Sequence, residues 1–198
     1  MTTIWNTQAA PNSQAAPFAI RAERASDVVA REALLDACFG EDRSSRTCQR
    51  LRDGRAPAEG LALAAVRGRK LVGTARLWHV SAGGVPALLL GPLAVDSACR
   101  KLGIGAALIT HALGAAKASG HRAVILLGDA PYYGRFGFSA RKTGELALPG
   151  TFEPERLLAL ELDEGALDGA WGMVVPTGAP ATRPARVRKT ARLVPRVA

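Results

Sequence analysis

Two short strings in this sequence hold residue types that do chemistry. The first is Arg100-Lys101-Leu102-Gly103-Ile104-Gly105-Ala106, and the second runs from Gly128 to Phe138 and carries Tyr132, Tyr133 and Phe136. In the first string Gly103 and Gly105 permit close backbone approach, and a helix starting there has first N–H groups without intrahelical partners. Those amides and the positive end of the helix dipole converge on an anion, with charge added by Arg100 and Lys101, so the string suits a phosphate. Taken alone it reads first as a helix that begins after a tight turn. A strand before it and a long helix after it supply the context for anion binding.

The strand is Leu88 to Val95, apolar almost throughout, as expected of a strand buried on both faces of a sheet. Gly91-Pro92 interrupts it. Proline cannot donate to a ladder, so a bulge is expected near Pro92, with the strand locally unpaired. That leaves backbone groups of Leu93 and Val95 free to bond a long polar ligand carrying amides. After the glycines, Ile104, Leu108, Ile109, Leu113 and Ala116 recur at helical spacing, and Gly120 makes a stop. The next strand is His121 to Leu127; with the crossover helix between them, the two strands should pair in parallel. Gly128-Asp129-Ala130-Pro131 then turns the chain into a short helix holding Tyr132, Tyr133 and Phe136.

The remaining elements support these. Phe18 to Arg24 reads as a first strand. Ser26-Asp27 caps a helix with a stripe through Val28, Val29, Ala33, Leu34, Ala37 and Cys38, and a second helix is predicted from Ser44 to about Arg52. Leu61 to Val66 and Lys70 to Val80 are strands of a meander that turns at Gly83-Gly84 into the Leu88 strand. Beyond Phe138, Glu145 to Leu148 and Leu157 to Leu162 are strand candidates, and Gly165 to Val175 reads as a final turn and short strand.

Leu93-Ala94-Val95, Arg100-x-x-Gly103-x-Gly105 and Tyr133-x-x-x-Gly137-Phe138 together resemble the GNAT superfamily of N-acetyltransferases. The fuller strings Gly91 to Val95 and Gly128 to Phe138 are similar to one bacterial branch, predicted N-acetyltransferases of the YhbS type. The resemblance covers roughly residues 18 to 175. It implies one α/β domain with a mixed, largely antiparallel sheet, a splayed central strand pair and helices on both faces. It also implies transfer of an acetyl group from acetyl-CoA, as co-substrate, to a primary amine by direct attack in a ternary complex. The pyrophosphate is expected on the amides of Lys101, Gly103, Ile104, Gly105 and Ala106 beside Arg100, and pantetheine along Leu93 and Val95. Tyr133 stands where the family's tyrosine does, near the sulfur, and a phenol of ordinary pKa about 10 can donate a proton to a thiolate. The competing reading of Tyr133 is a core aromatic beside Phe136 and Phe138. The helices at 26–52 are lid candidates over an acceptor site. Asp129, where many members carry asparagine, reads first as a helix cap; Asp129, His79, Glu32 and a water relay all stay open as the base. Cys99 beside Arg100 reads as structural, because no histidine is placed for a covalent route.

With 198 residues, 48% of them hydrophobic, the chain suits one domain. No run approaches the roughly 20 apolar residues of a membrane span. Residues 1 to 17 read as a flexible leader, not a secretory signal. Three cysteines, Cys38, Cys48 and Cys99, without CxxC spacing argue against a disulfide framework or a zinc site and for the cytoplasm. The net charge of +9 is concentrated in residues 176 to 198, which hold six of the basic residues and no acid. That stretch reads as a basic disordered tail. Nucleic acid is left to the tail alone, which lacks aromatics for base stacking. The rival function is a non-enzymatic acyl-CoA-binding or nucleic-acid-associated module. The amine acceptor and the oligomeric state are not legible.

Overall fold

Near-continuous runs of small and branched apolar residues, buried on both faces, build the centre of this molecule into one sheet. The computed structural model of the chain describes residues 17–181. In order these form β1 (Ala19–Ala22), α1 (Val28–Phe39), β2 (Ala62–Arg67), β3 (Lys70–Ala82), β4 (Val85–Val95) and α2 (Ile104–Ala118). They continue with β5 (Ala123–Leu127), α3 (Ala130–Tyr133), β6 (Leu146–Ala147), β7 (Leu157–Glu161) and β8 (Gly172–Pro176). The spatial order is β1-β2-β3-β4-β5-β7, with β8 pairing the far end of β3 and also β6. Neighbours are antiparallel except β4 with β5 and β6 with β8, so the sheet is mixed and largely antiparallel, as the family resemblance implies.

The two long helices, α1 and α2, take opposite faces. α2 lays Ile104, Leu108, Ala112 and Ala116 against Leu63, Ala65, Val72 and Leu88 in the larger core cluster. Alternate residues of the same strands, Ala64 and Ala94, meet Leu34 and Leu35 of α1 on the other face. α2 can lie this close because β3 offers Gly73. A Cβ there would stand 2.9 Å from Ile104 Cγ2, closer than real Cβ contacts come, and 3.1 Å from Leu108 Cδ1, tighter than most.

Two expectations are corrected. The helix predicted over Ser44 to Arg52 is instead two 3-10 turns, Glu41–Ser45 and Thr47–Leu51, broken at Arg46 with φ −66° and ψ 145°. Hydroxyl residues favour this break: Ser45 Oγ donates to Asp42 O at 2.8 Å, a local bond that competes with helix. The boundary at 175 also falls too early. Pro176 belongs to β8, Thr177 N–H donates to His79 O (3.0 Å), Ala56 N–H to Ala179 O (2.8 Å) and Ala181 N–H to Gly54 O (2.8 Å). The first residues of the expected tail are therefore pinned to β3 and to the loop before β2 by backbone bonds, while residues 1–16 and 182–198 lie outside the described residues. Among the described residues no helix is long and apolar enough to cross a membrane.

Candidate active site

β4 and β5 pair only at Leu88–Val124 and Leu89–Ile125 and then part. The bulge expected at Pro92 accompanies the parting. Gly91 and Pro92 together oppose the single residue Arg76 of β3, between the pairs Leu77–Leu90 and Ala75–Leu93. Gly91 has φ 136°, a conformation side-chain-bearing residues rarely adopt. The bulge is fastened from β3: Trp78 Nε1 donates to Gly91 O at 2.5 Å, and Arg76 Nε donates to the buried Glu23 carboxylate at 2.8 Å.

Beyond the bulge the backbone alternation decides what faces the opening. Asp96 N–H donates to Val72 O of β3 at 2.9 Å, so the residues that alternate with it, Leu93 and Val95, turn their N–H and C=O away from β3 and toward the gap. The Val95 carbonyl there receives the Cys38 thiol at 3.5 Å.

The glycine string ends the gap on one side. Lys101 and Gly103 adopt left-handed conformations, φ 74° and 76°, and Gly103 is the N-cap of α2 without a side-chain cap. Among the described residues the amides of Gly103, Ile104, Gly105 and Ala106 donate to no protein acceptor. The side chain of Ile104 is fully buried, so only its N–H faces outward; Arg100 and Lys101 are exposed beside it. Gly105 is tight: a Cβ would stand 2.9 Å from Tyr132 Oη and 3.7 Å from Val95 Cγ2. Tyr132 therefore reaches from α3 to the first turn of α2. Its place one residue before Tyr133 does not announce that contact in the sequence.

On the other side the Tyr133 ring lies close against Gly128 and packs edge-on to Phe138 (centroids 5.9 Å) and Tyr132 (5.1 Å). Burial first, then neighbouring Tyr132 and Asp129, push its pKa up to about 12, so the hydroxyl keeps its proton across the working pH range. Asp129 caps α3 as expected, accepting from Tyr132 N–H at 3.2 Å. Of the other base candidates, Glu32 is tied to Arg31 and Arg43 (each 2.5 Å), and His79 faces His121 at 5.2 Å between ring centroids. Neither lines the cavity at Tyr133. Cys99 is buried in the α2 core cluster, which suits its structural reading.

That cavity holds about 570 Å³. One wall is Leu90 to Leu93 with Gly128 and Tyr133, and the opposite wall comes from the 3-10 turns and the segment Thr151 to Arg156. Four arginines line it, Arg43, Arg46, Arg52 and Arg156, against the carboxylates of Asp129 and Glu153. The sequence pointed to the segment before β2 as a lid but not to these arginines, which approach Tyr133 only through the fold.

A sheet that parts at a bulged central strand, with a bare helix N-terminus at one end of the gap and a phenol at the other, defines the GNAT class of acetyltransferases. Residues 29–138 match the acetyltransferase (GNAT) family, and the chain belongs to it. It is similar to YhbS, an uncharacterized N-acetyltransferase of Escherichia coli strain K12, with 31% identity over 162 residues, covering 78% of this chain and 93% of that protein. A crystal structure of E. coli YhbS in complex with CoA aligns with a TM-score of 0.69 at 30% identity, covering 82% of this chain and 91% of that one. A GNAT family acetyltransferase from Brucella melitensis in complex with acetyl-CoA aligns at 0.59 and 25% identity, covering 84% and 96%.

Proposed function

We propose that the chain moves an acetyl group from acetyl-CoA to a primary amine by direct attack within a ternary complex. The observation that carries this is the continuity of the gap. Unpartnered amides at Gly103 to Ala106, outward backbone at Val95 and Leu93, and the Tyr133 hydroxyl follow one another along one opening that ends in a cavity. The relatives held with CoA and acetyl-CoA support the same ligand here. The pyrophosphate sits on the α2 amides with Arg100 and Lys101 adding charge. Pantetheine bonds Leu93 and Val95 in place of the strand that β5 does not supply.

The chemistry follows from where the proton must go. The free amine attacks the thioester carbonyl, a C–N bond forms, the C–S bond breaks, and the proton lost by nitrogen ends on sulfur. Tyr133 donates its hydrogen bond to the departing sulfur. With its pKa near 12 against about 8.5 for a thiol, outright transfer is uphill by roughly 5 kcal/mol. The hydroxyl therefore releases its proton only as the amine's proton returns to it through water. A module that only binds acyl-CoA has no use for such a donor, which sets the enzymatic reading above the binding one.

The test is release of CoA thiol across a panel of amines. Wild type should release thiol in an amine-dependent way, and Tyr133→Phe, which keeps the ring and deletes the hydroxyl, should lower kcat by roughly ten- to a thousand-fold with acetyl-CoA affinity little changed. A phenylalanine variant at wild-type rate removes Tyr133 from the mechanism.

A further inference from the structure

The cavity beside Tyr133 is lined on its far side by more positive charge than its own carboxylates neutralise. Arg43 is satisfied by Asp36 (2.6 Å) and Glu32 (2.5 Å), and Arg156 lies 3.7 Å from Glu153. Arg46 and Arg52 differ. Arg46 donates to Phe39 O at 3.0 Å and covers the Phe39 ring at 5.3 Å. Arg52 donates its Nε to Cys48 O at 3.1 Å, which leaves its two terminal nitrogens without a protein acceptor among the described residues. Among those residues neither arginine has a carboxylate within ion-pair distance.

Arg46 sits exposed at the cavity rim, whereas Arg52 is partly withdrawn from water; a guanidinium so placed without a counter-charge is costly, and the cost is relieved when a ligand supplies the anion. Burial, with Arg43 and Arg76 nearby, depresses the Arg52 pKa despite the opposing pull of Cys48 and Asp53. The coenzyme's phosphates do not need this site. The residues around α2's first turn that suit them, Arg100 to Ala106, are absent from the cavity lining, which shares only Leu93 and Tyr133 with the coenzyme path. A volume of about 570 Å³ is that of a small-molecule pocket.

We propose that the acceptor is a small amine that also carries an oxyanion, a carboxylate or a phosphate, gripped by Arg52 and Arg46 so that its amino group faces Tyr133. This rests on the acetyltransferase reading and adds the substrate class to it. The planar fork of an arginine binds either oxyanion through paired N–H donors, and two forks on the wall opposite Tyr133 fix its orientation.

The experiment gives the full chain saturating acetyl-CoA and measures thiol release with β-alanine and O-phosphoethanolamine against the neutral β-alaninamide and ethanolamine. The anionic member of a pair should be favoured in kcat/KM by about 10- to 100-fold, and which pair shows it separates carboxylate from phosphate. Arg52→Gln and Arg46→Gln should erase the preference, Arg52→Lys should keep part of it, and acetyl-CoA affinity should stay within twofold in all three. A second measurement is independent of turnover: with CoA bound, calorimetry compares N-acetyl-β-alanine and N-acetylphosphoethanolamine with their neutral counterparts. Neutral amines acetylated as well as anionic ones overturn the proposal and leave the enzyme reading standing. A preference that survives both glutamine variants overturns the assignment to these arginines. If no amine releases thiol, the enzyme reading fails, and anionic products that bind no tighter than neutral ones remove the oxyanion site as well.

Discussion

Replacing Gly128 with alanine should disable turnover by displacing Tyr133, without touching the β4 backbone or the α2 amides that seat the coenzyme. An alanine Cβ at this position would stand 2.7 Å from Tyr133 Cδ2 and 2.9 Å from Leu126 Cδ1, with the Tyr133 Cε2 closer still. Ordinary contact begins at 3.4 Å, so the ring must retreat by roughly 1 Å, a displacement that costs about a hundred-fold in a positioned catalytic group. Phe138 and Tyr132 pack at its edges and restrict where it can move. The overpacking should cost about 1–3 kcal/mol of stability. The assay is thiol release with the best amine of the panel, alongside a melting curve. We expect kcat down by roughly 10- to 100-fold, acetyl-CoA affinity within about threefold, and Gly128→Ala/Tyr133→Phe no slower than Tyr133→Phe alone, because both changes remove one interaction. A folded alanine variant at wild-type rate, or fully additive losses, would refute the claim that Gly128 positions the phenol.

Gly105→Val puts a Cβ within 2.9 Å of Tyr132 Oη over the first turn of α2 and should weaken acetyl-CoA in calorimetry by about ten-fold or more; unchanged affinity would remove that turn from the phosphate seat. Truncation after Val175 removes Pro176 and the bonds of residues 177, 179 and 181 and should cost about 2–3 kcal/mol, lowering Tm by roughly 5–10 °C. Truncation after Ala181 should leave Tm and acetyl-CoA affinity unchanged. Asp27 is held to Arg21 at 2.6 and 2.9 Å and accepts from Arg24 N–H at 2.7 Å; the bonds to Arg21 above all hold its pKa down to about 2. Because the folded-state pKa is depressed, this stability is present above pH 4 and is lost as pH falls from 4 to 2. Asp27→Asn should therefore cost about 1 kcal/mol at pH 7 and flatten the stability decline over that window in denaturant melts; an equal decline in both proteins would refute it.

What the sequence disclosed was local chemistry. Pro92 in an apolar strand implies a bulge because proline lacks a donor, and Gly103 to Ala106 after a strand imply bare amides, since both arguments run on neighbours in the chain. The parts it did not disclose are contacts between distant segments. Gly128 looks like a turn glycine until the Tyr133 ring is laid on it, and Trp78 is an ordinary strand aromatic until Gly91 O, thirteen residues on, meets its indole. Arg46 and Arg52 are charges at the ends of a predicted helix, and only the fold shows that the broken segment lines the cavity. The boundary at 175 erred for the same reason. A stretch with little apolar pattern reads as free, yet residues 177 to 181 are held by backbone hydrogen bonds, which composition does not report.

The path of the coenzyme is tested most directly by titrating the isotope-labelled chain with acetyl-CoA and following backbone amide resonances. A ligand laid along β4 with its diphosphate on α2 predicts the largest shifts at Leu93, Val95, Gly103, Ile104, Gly105 and Ala106, saturating together, with a smaller response at Tyr133. Saturable shifts confined to other residues, or none at millimolar acetyl-CoA, would contradict it.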